Sequence, residues 1–246
     1  MINKAIEEIA QLTNDAIQKS ADLFEENNKV LDNHLLLAQF FLSKTVTSFY
    51  AVWTLCKNGY GQDAFIVLRT IFENLVNLSF VNQEPAKRVP LFIEYDYIKA
   101  HKRLEDYESL YPEKSKEERI RQYIIARYEK VKDNYPNKNR WSRISLFDMA
   151  KSCELENYYY MVYRLGSVFT HGGSDSTQDY INTNGTHFSI RFGQPNTEKI
   201  DLALITACSL VLVTIQETCN VFLLDPPEIC HNVLNRIEKA GKNIQF

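Results

Sequence analysis

The stretch that decides the fold is AFIVLRTIFENLVNLSFV, residues 64–81. Apolar side chains surround its helix axis on nearly every side, which is typical of a helix in the centre of a bundle. Arg69, Glu73 and Asn77 are spaced four apart and form one polar stripe. Because an unpaired arginine is costly in an interior, we expect Arg69 to pair with Glu73. Two interpretations stay open: an internal salt bridge that fixes helix packing, or the polar wall of a pocket.

The flanking segments have helical patterns as well. Asp32 is suited to cap a second helix, which Asn58-Gly59 would end, and the third helix begins within three residues. A connection this short predicts an antiparallel helix pair. The chain has only 8 glycines and 7 prolines in 246 residues, so few turns are expected. Further helices are predicted at about residues 3–27, 86–110, 115–133, 145–153, 156–171 and 198–223, with a short one at the C-terminus.

The sequence therefore predicts an all-α fold, an antiparallel helical bundle in one domain of residues 1–246. Asn184-Gly185 favours a tight turn, so a small inserted β-hairpin is expected there. The predicted parts are a bundle core at about 31–82 and 145–224, a charged helical hairpin at about 86–140 and the β-hairpin at about 179–192.

Charge and cysteine content bear on the expected partners and compartment. A net charge of −3 gives the chain no overall attraction to nucleic acid or acidic lipid. Five cysteines without a C-x-x-C pair suit a reducing compartment, so we predict a cytoplasmic protein. The charge-free run 202–216 has 15 residues, fewer than the roughly 20 of a membrane span, and Glu217 follows it. We interpret this run as a buried helix and expect no membrane partner.

The middle of the chain is its most basic part. Residues 99–143 hold 13 Lys or Arg and 8 Asp or Glu. Because the acids are interleaved with the bases, a solvated helical hairpin with internal salt bridges is the favoured interpretation. If the protein touches nucleic acid, we expect the contact here or in a groove beside it.

A second polar stripe lies on the predicted helix at 156–171. Tyr160, Arg164, Ser167 and His171 follow at spacings of four, three and four, so they share one face. An arginine that holds a phosphate and a histidine that exchanges a proton are sufficient for RNA cleavage without a metal. The alternative is that His171, just before Gly172-Gly173, only stabilises a helix C-terminus.

We predict no cofactor and no metal ion. The five histidines lack a helical His pair with acidic companions, and the glycine-rich nucleotide-binding motifs are missing from the sequence.

Three separated motifs carry a family resemblance. They are RTIFEN at 69–74, WSRISLFDMA at 141–150, and the run from Tyr159 to Gly172 that contains YRLGS and ends in HG. Together they resemble a bacterial all-helical family of unknown function over about residues 35–225, which is in turn similar to the HEPN superfamily (higher eukaryotes and prokaryotes nucleotide-binding). This resemblance implies a helical bundle, frequent homodimers and, in active members, an R-x(4 to 6)-H motif that cleaves RNA in toxin and phage-defence systems.

The motif falls on Arg164 and His171, although Leu165 stands where active members usually have a polar residue. Our first hypothesis is thus a HEPN-like metal-independent endoribonuclease or derivative in a phage-defence or toxin setting. His171 would be the acid/base and Arg164 the phosphate clamp, with RNA as substrate and two motifs facing each other in a homodimer. The expected supporting pocket comprises Arg69, Glu73, Asn77, Tyr160 and Ser167.

The second hypothesis is a non-catalytic helical binding or sensor module. Such a module would partner a defence effector or bind a small ligand through the same polar residues.

Overall fold

The computed structural model describes residues 1–27, 32–112, 118–170, 180–185, 187–190, 193, 195, 197 and 199–241. Helices dominate this part of the chain, so the all-α prediction is confirmed. The helices are α1 Lys4–Glu26, α2 Asn33–Lys57, α3 Gly61–Gln83, α4 Pro85–Leu110, α5 Glu118–Val131, α6 Leu146–Ser152, α7 Glu156–Tyr158, α8 Leu165–Thr170, α9 Ile200–Phe222 and α10 Glu228–Gly241. A 3₁₀ turn occupies Lys132–Asn134, and a π-helical turn at Tyr159–Arg164 joins α7 to α8.

Local signals set several helix ends. The Asp32 carboxylate accepts a hydrogen bond of 2.8 Å from the backbone N–H of Leu35, which caps α2. Ser145 and Asp148 form a reciprocal capping box at the start of α6. Gly59 has a φ of 82°, a conformation that glycine adopts without strain, and it ends the turn between α2 and α3. These boundaries agree with the predicted ones because each depends on neighbouring residues alone.

The main apolar core surrounds α3 and α9. α3 packs against α2, α9, α6, α8 and the π-helical turn, while α1 and α10 pack on α9. Phe65, Leu68 and Phe72 of α3 are completely buried, as are Leu204 and Leu210 of α9. Burial of each such side chain contributes about 1.5–3 kcal/mol to folding. This arrangement places the polar stripe of α3 beside the elements that cover that helix.

α4 and α5 form a separate charged pair of helices. They enclose a small apolar cluster of their own, which includes Ile98 and Tyr128. Several charges pair inside this unit, for example Arg121 with Glu108 at 2.8 Å. The ring of His101 stacks on Tyr128 at 3.8 Å. Such internal pairing favours the interpretation of a solvated, salt-bridged hairpin.

Two short strands lie between α8 and α9. Ile181–Asn184 (β1) pairs antiparallel with His187–Ile190 (β2), with Ile181 opposite Ile190. Gly185 in the turn has a φ of 61°. The Phe188 side chain is exposed on this ribbon.

The prediction that the protein has no membrane partner is wrong. Within the described residues, three helices are long and apolar enough to cross a membrane, namely Asn33–Lys57, Gly61–Gln83 and Ile200–Phe222, with mean hydropathies of 1.3, 1.5 and 1.7. Glu217 does not limit the apolar segment to 15 residues, because a membrane span tolerates a charge near its end, where the side chain reaches the interface. The structure buries 33%, 67% and 78% of the respective apolar windows inside the protein. Length and hydropathy therefore give no ground for excluding a membrane.

Candidate functional site

A cavity of about 410 Å³ lies beside α3. α3 contributes Glu73 and Asn77 to its wall, and α4, the segment 139–149 and the π-helical turn supply the remainder. We call this space the Glu73 cavity. Its aromatic wall residues include Trp141, Phe147, Tyr159 and Tyr163.

Arg69 lies next to the cavity and interacts with three neighbouring side chains. Its Nη2 is 3.8 Å from Oε1 of Glu73, which is the expected ion pair. Its Nη1 donates to the Thr170 hydroxyl at 3.1 Å, and the guanidinium lies 4.4 Å from the Tyr163 ring centroid. The buried Nε has no hydrogen-bond partner in the part of the chain that the structure describes. Arg69 thus connects α3 to the π-helical turn and to α8.

Gly166 makes room for the Arg69 side chain. A Cβ atom at this position would lie 2.7 Å from both Cγ and Cδ of Arg69 and 2.9 Å from the carbonyl oxygen of Phe65. Only a residue without a side chain therefore allows α8 to approach α3 so closely.

Glu73 is the acidic side chain of the cavity wall, and its pKa is shifted. Burial raises the pKa of its carboxyl above the ordinary value, and the nearby charges of Arg69 and Lys44 oppose that rise. Its carboxylate accepts no hydrogen bond from the described residues; Arg69 at 3.8 Å is its ion-pair partner. A carboxyl with a shifted pKa inside a cavity is a reasonable candidate for a functional group.

Asn77 is held in a single orientation. Its Nδ2 donates to the carbonyl of Glu73 at 2.7 Å, and its Oδ1 accepts from the indole N–H of Trp141 at 2.7 Å. Trp141 in turn makes edge-to-face contacts with Phe80 and Phe92. Both ends of the amide are therefore engaged, and Asn77 serves to anchor Trp141 in the cavity wall.

The π-helical turn replaces part of the predicted continuous helix at 156–171. Tyr159 and Tyr163 lie on its cavity side and stack on each other at 5.1 Å, with an interplanar angle of 19°. A widened turn of this kind often occurs at functional sites. These two tyrosines, Trp141 and Phe147 were not among the predicted site residues, although all four occur in the quoted motifs.

The described members of the second predicted stripe do not line the Glu73 cavity. Tyr160 and Arg164 are exposed, with the guanidinium 5.7 Å from the tyrosine ring centroid. The Ser167 hydroxyl donates to the carbonyl of Tyr163 at 2.7 Å, within its own helix. Tyr160 and Ser167 thus lie outside the described wall of the Glu73 cavity, and His171 lies outside the described residues.

A family model described as "Family of unknown function (DUF5677)" matches residues 35–188. The chain belongs to this family. The DUF5677 match runs from α2 to β2 and includes Glu73, Asn77, Trp141 and both tyrosines of the cavity. No curated protein and no solved structure matches the chain. Membership of a helical family of unknown function is thus confirmed, and similarity to the HEPN superfamily stays a prediction.

Proposed function

We propose that this DUF5677 protein is a helical binding module that takes a small polar molecule into the Glu73 cavity. The observation that carries the proposal is the Glu73 carboxylate, which lines a cavity of about 410 Å³ and accepts no hydrogen bond from the described residues. The ion pair with Arg69 at 3.8 Å leaves the hydrogen-bonding positions of the carboxylate open, and 43% of the Glu73 side chain is exposed, so a ligand that enters the cavity can donate to it.

Two further groups support a binding role. The hydroxyls of Tyr159 and Tyr163 make no hydrogen bond within the described part of the chain, although both residues line the cavity. Each hydroxyl can donate and accept one hydrogen bond. The stacked rings hold these groups in place, so the site is organised before a ligand arrives.

The test uses Trp141 as a reporter. The chain has two tryptophans, and Trp53→Phe leaves Trp141 in the cavity wall as the one that remains. We expect compounds from a panel of neutral, anionic and cationic fragments to change its fluorescence. Glu73→Gln should weaken the binding of those fragments that donate to the carboxylate about tenfold or more, because one charged hydrogen-bond acceptor is lost.

The matched control is Asp63→Asn, which removes an exposed acid from the first turn of the same helix. This variant should bind as the parent does. If no fragment changes the fluorescence, or if both variants weaken binding equally, the cavity is not the binding site.

A second candidate function is the HEPN-like, metal-independent endoribonuclease of a defence or toxin system. It is favoured by the exposed guanidinium of Arg164, which makes no ion pair within the described chain and is free to hold a phosphate. The required proton transfer is assigned to His171.

Incubation with total RNA and tRNA in EDTA tests this second candidate. We expect cleavage that Arg164→Ala and His171→Ala each reduce about 100-fold or more, since proton transfer and charge stabilisation contribute effects of that size. Arg236→Ala, at an exposed arginine of α10, should leave the rate unchanged. A lack of cleavage by the parent, or full activity in both motif variants, would rule this function out.

A further inference from the structure

Five side-chain donors of the cavity wall are used by the protein itself, whereas the Tyr159 and Tyr163 hydroxyls are left for a ligand. The Trp141 indole and the Asn77 amide donate to other atoms of the wall. Three wall hydroxyls donate to other protein atoms: Tyr95 to the Lys138 carbonyl at 3.0 Å, Ser142 to the Ile144 carbonyl at 2.8 Å, and Ser145 to Asp148 at 2.6 Å. The groups left for a ligand are therefore few and can be identified.

Two side chains of opposite charge remain available in this wall. Glu73 accepts no hydrogen bond, and Arg140, which is exposed, makes neither an ion pair nor a side-chain hydrogen bond within the described residues. No other Asp, Glu, Lys or Arg belongs to the described lining. A carboxylate and a guanidinium in one cavity complement a ligand that carries both an ammonium and a carboxylate.

Several aromatic rings of the wall are engaged by other protein groups. Tyr163 has Arg69 over one side and stacks with Tyr159, while Phe147 contacts Tyr159 edge-to-face at 5.0 Å. These rings therefore act as a rigid wall against the ligand body, and the charged groups supply the recognition.

We propose that the Glu73 cavity binds a small zwitterionic amino acid, with its ammonium on Glu73 and its carboxylate on Arg140. This inference rests on the proposed binding function and names its ligand class. A zwitterion also suits the balance of charge, because Arg69 and Lys44 lie near Glu73 and would disfavour a ligand with positive charge alone.

The binding should depend on pH through Glu73. The charges that act on it are those of Arg69 on its own helix and Lys44 on α2, and the other titratable groups of the cavity wall are Arg140 and three tyrosines. Burial raises the pKa of Glu73, so acid protonates it readily and removes the partner of the ammonium. Affinity should therefore fall as the pH drops through that raised pKa, and binding should lower the pKa in return.

The test compares matched probes on the Trp53→Phe protein. L-Phenylalanine is compared with phenethylamine and 3-phenylpropanoate, and 5-aminopentanoate with pentylamine and pentanoate. We expect at least one zwitterion to bind about tenfold or more tightly than both of its singly charged counterparts. Glu73→Gln should abolish its advantage over the acid, and Arg140→Gln its advantage over the amine.

The outcomes separate this inference from the proposed function. The amino acid assignment is wrong if neither zwitterion binds more tightly than its singly charged counterparts. It is also wrong if both zwitterions fail to bind while other fragments bind in a Glu73-dependent way. In either case the proposed binding module stands. If no fragment and no probe binds, both proposals fail. If a zwitterion still binds more tightly than its singly charged counterparts in both Glu73→Gln and Arg140→Gln, the ligand binds at another site.

Discussion

Phe72→Ala is expected to lower the free energy of unfolding by about 3–5 kcal/mol. Phe72 is completely buried in α3, and its ring centroid lies 6.3 Å from that of Tyr159 and 6.4 Å from that of Tyr163. The truncation removes apolar contacts and leaves a void that the packed helices fill only in part. Urea unfolding followed by circular dichroism measures the change.

Phe40→Ala is the matched control for this variant. Phe40 lies on α2 with 49% of its surface exposed, so its loss should change stability by no more than about 0.5 kcal/mol. Because Phe72 also supports the two stacked tyrosines, its truncation should weaken fragment binding in the Glu73 cavity. Equal losses of stability in the two variants would contradict the burial of α3 described above.

Gly166→Ala is expected to destabilise the protein by about 1–3 kcal/mol, although alanine is the better helix former. Within a helix, alanine is favoured over glycine by about 1 kcal/mol, so the steric term must exceed this gain. It does so because the new Cβ would lie 2.7 Å from two atoms of Arg69 and 2.9 Å from the Phe65 carbonyl oxygen, and the backbone of α3 cannot yield without disturbing the core.

A double-mutant cycle with Arg69→Ala identifies the cause. Removing the Arg69 side chain deletes two of the three close atoms, so Gly166→Ala should cost less in that background than in the parent. Ser167→Ala, at the next position, should have a small effect, since its hydroxyl bonds only to a carbonyl of its own helix. A stabilising Gly166→Ala would show that α8 does not pack closely on α3.

The helix boundaries were largely predictable from sequence, and the reason is local. The cap at Asp32 and the stop at Gly59 involve residues within four positions along the chain, as do the hydrogen bonds of a helix end. The π-helical turn at Tyr159–Arg164 was not predictable in this way. A π-helical turn has a different pattern of backbone hydrogen bonds from an α-helix. It leaves unchanged the apolar periodicity by which a helix is recognised in a sequence.

The candidate site was predictable only in part. Glu73 and Asn77 lie on one helix at a spacing of four, so the sequence indicated their common stripe and the pairing of Glu73 with Arg69. Trp141 is 64 positions from Asn77, and no periodicity relates a loop residue to a helix so far away. The indole reaches Asn77 because the segment 139–149 folds back over α3.

The amino-acid sequence by itself thus determined an all-α fold with a strongly apolar α3 that carries one polar stripe. Repeating apolar residues and capping groups act within one or two helical turns, so the order of residues contains that information directly. The tertiary structure alone decided that Glu73 and Asn77 of the stripe line a cavity, that Trp141, Tyr159 and Tyr163 complete its wall, and that Arg164 is not part of the described lining. These relations depend on how helices pack across the core, where close contacts such as that of Gly166 with Arg69 join residues distant in the chain.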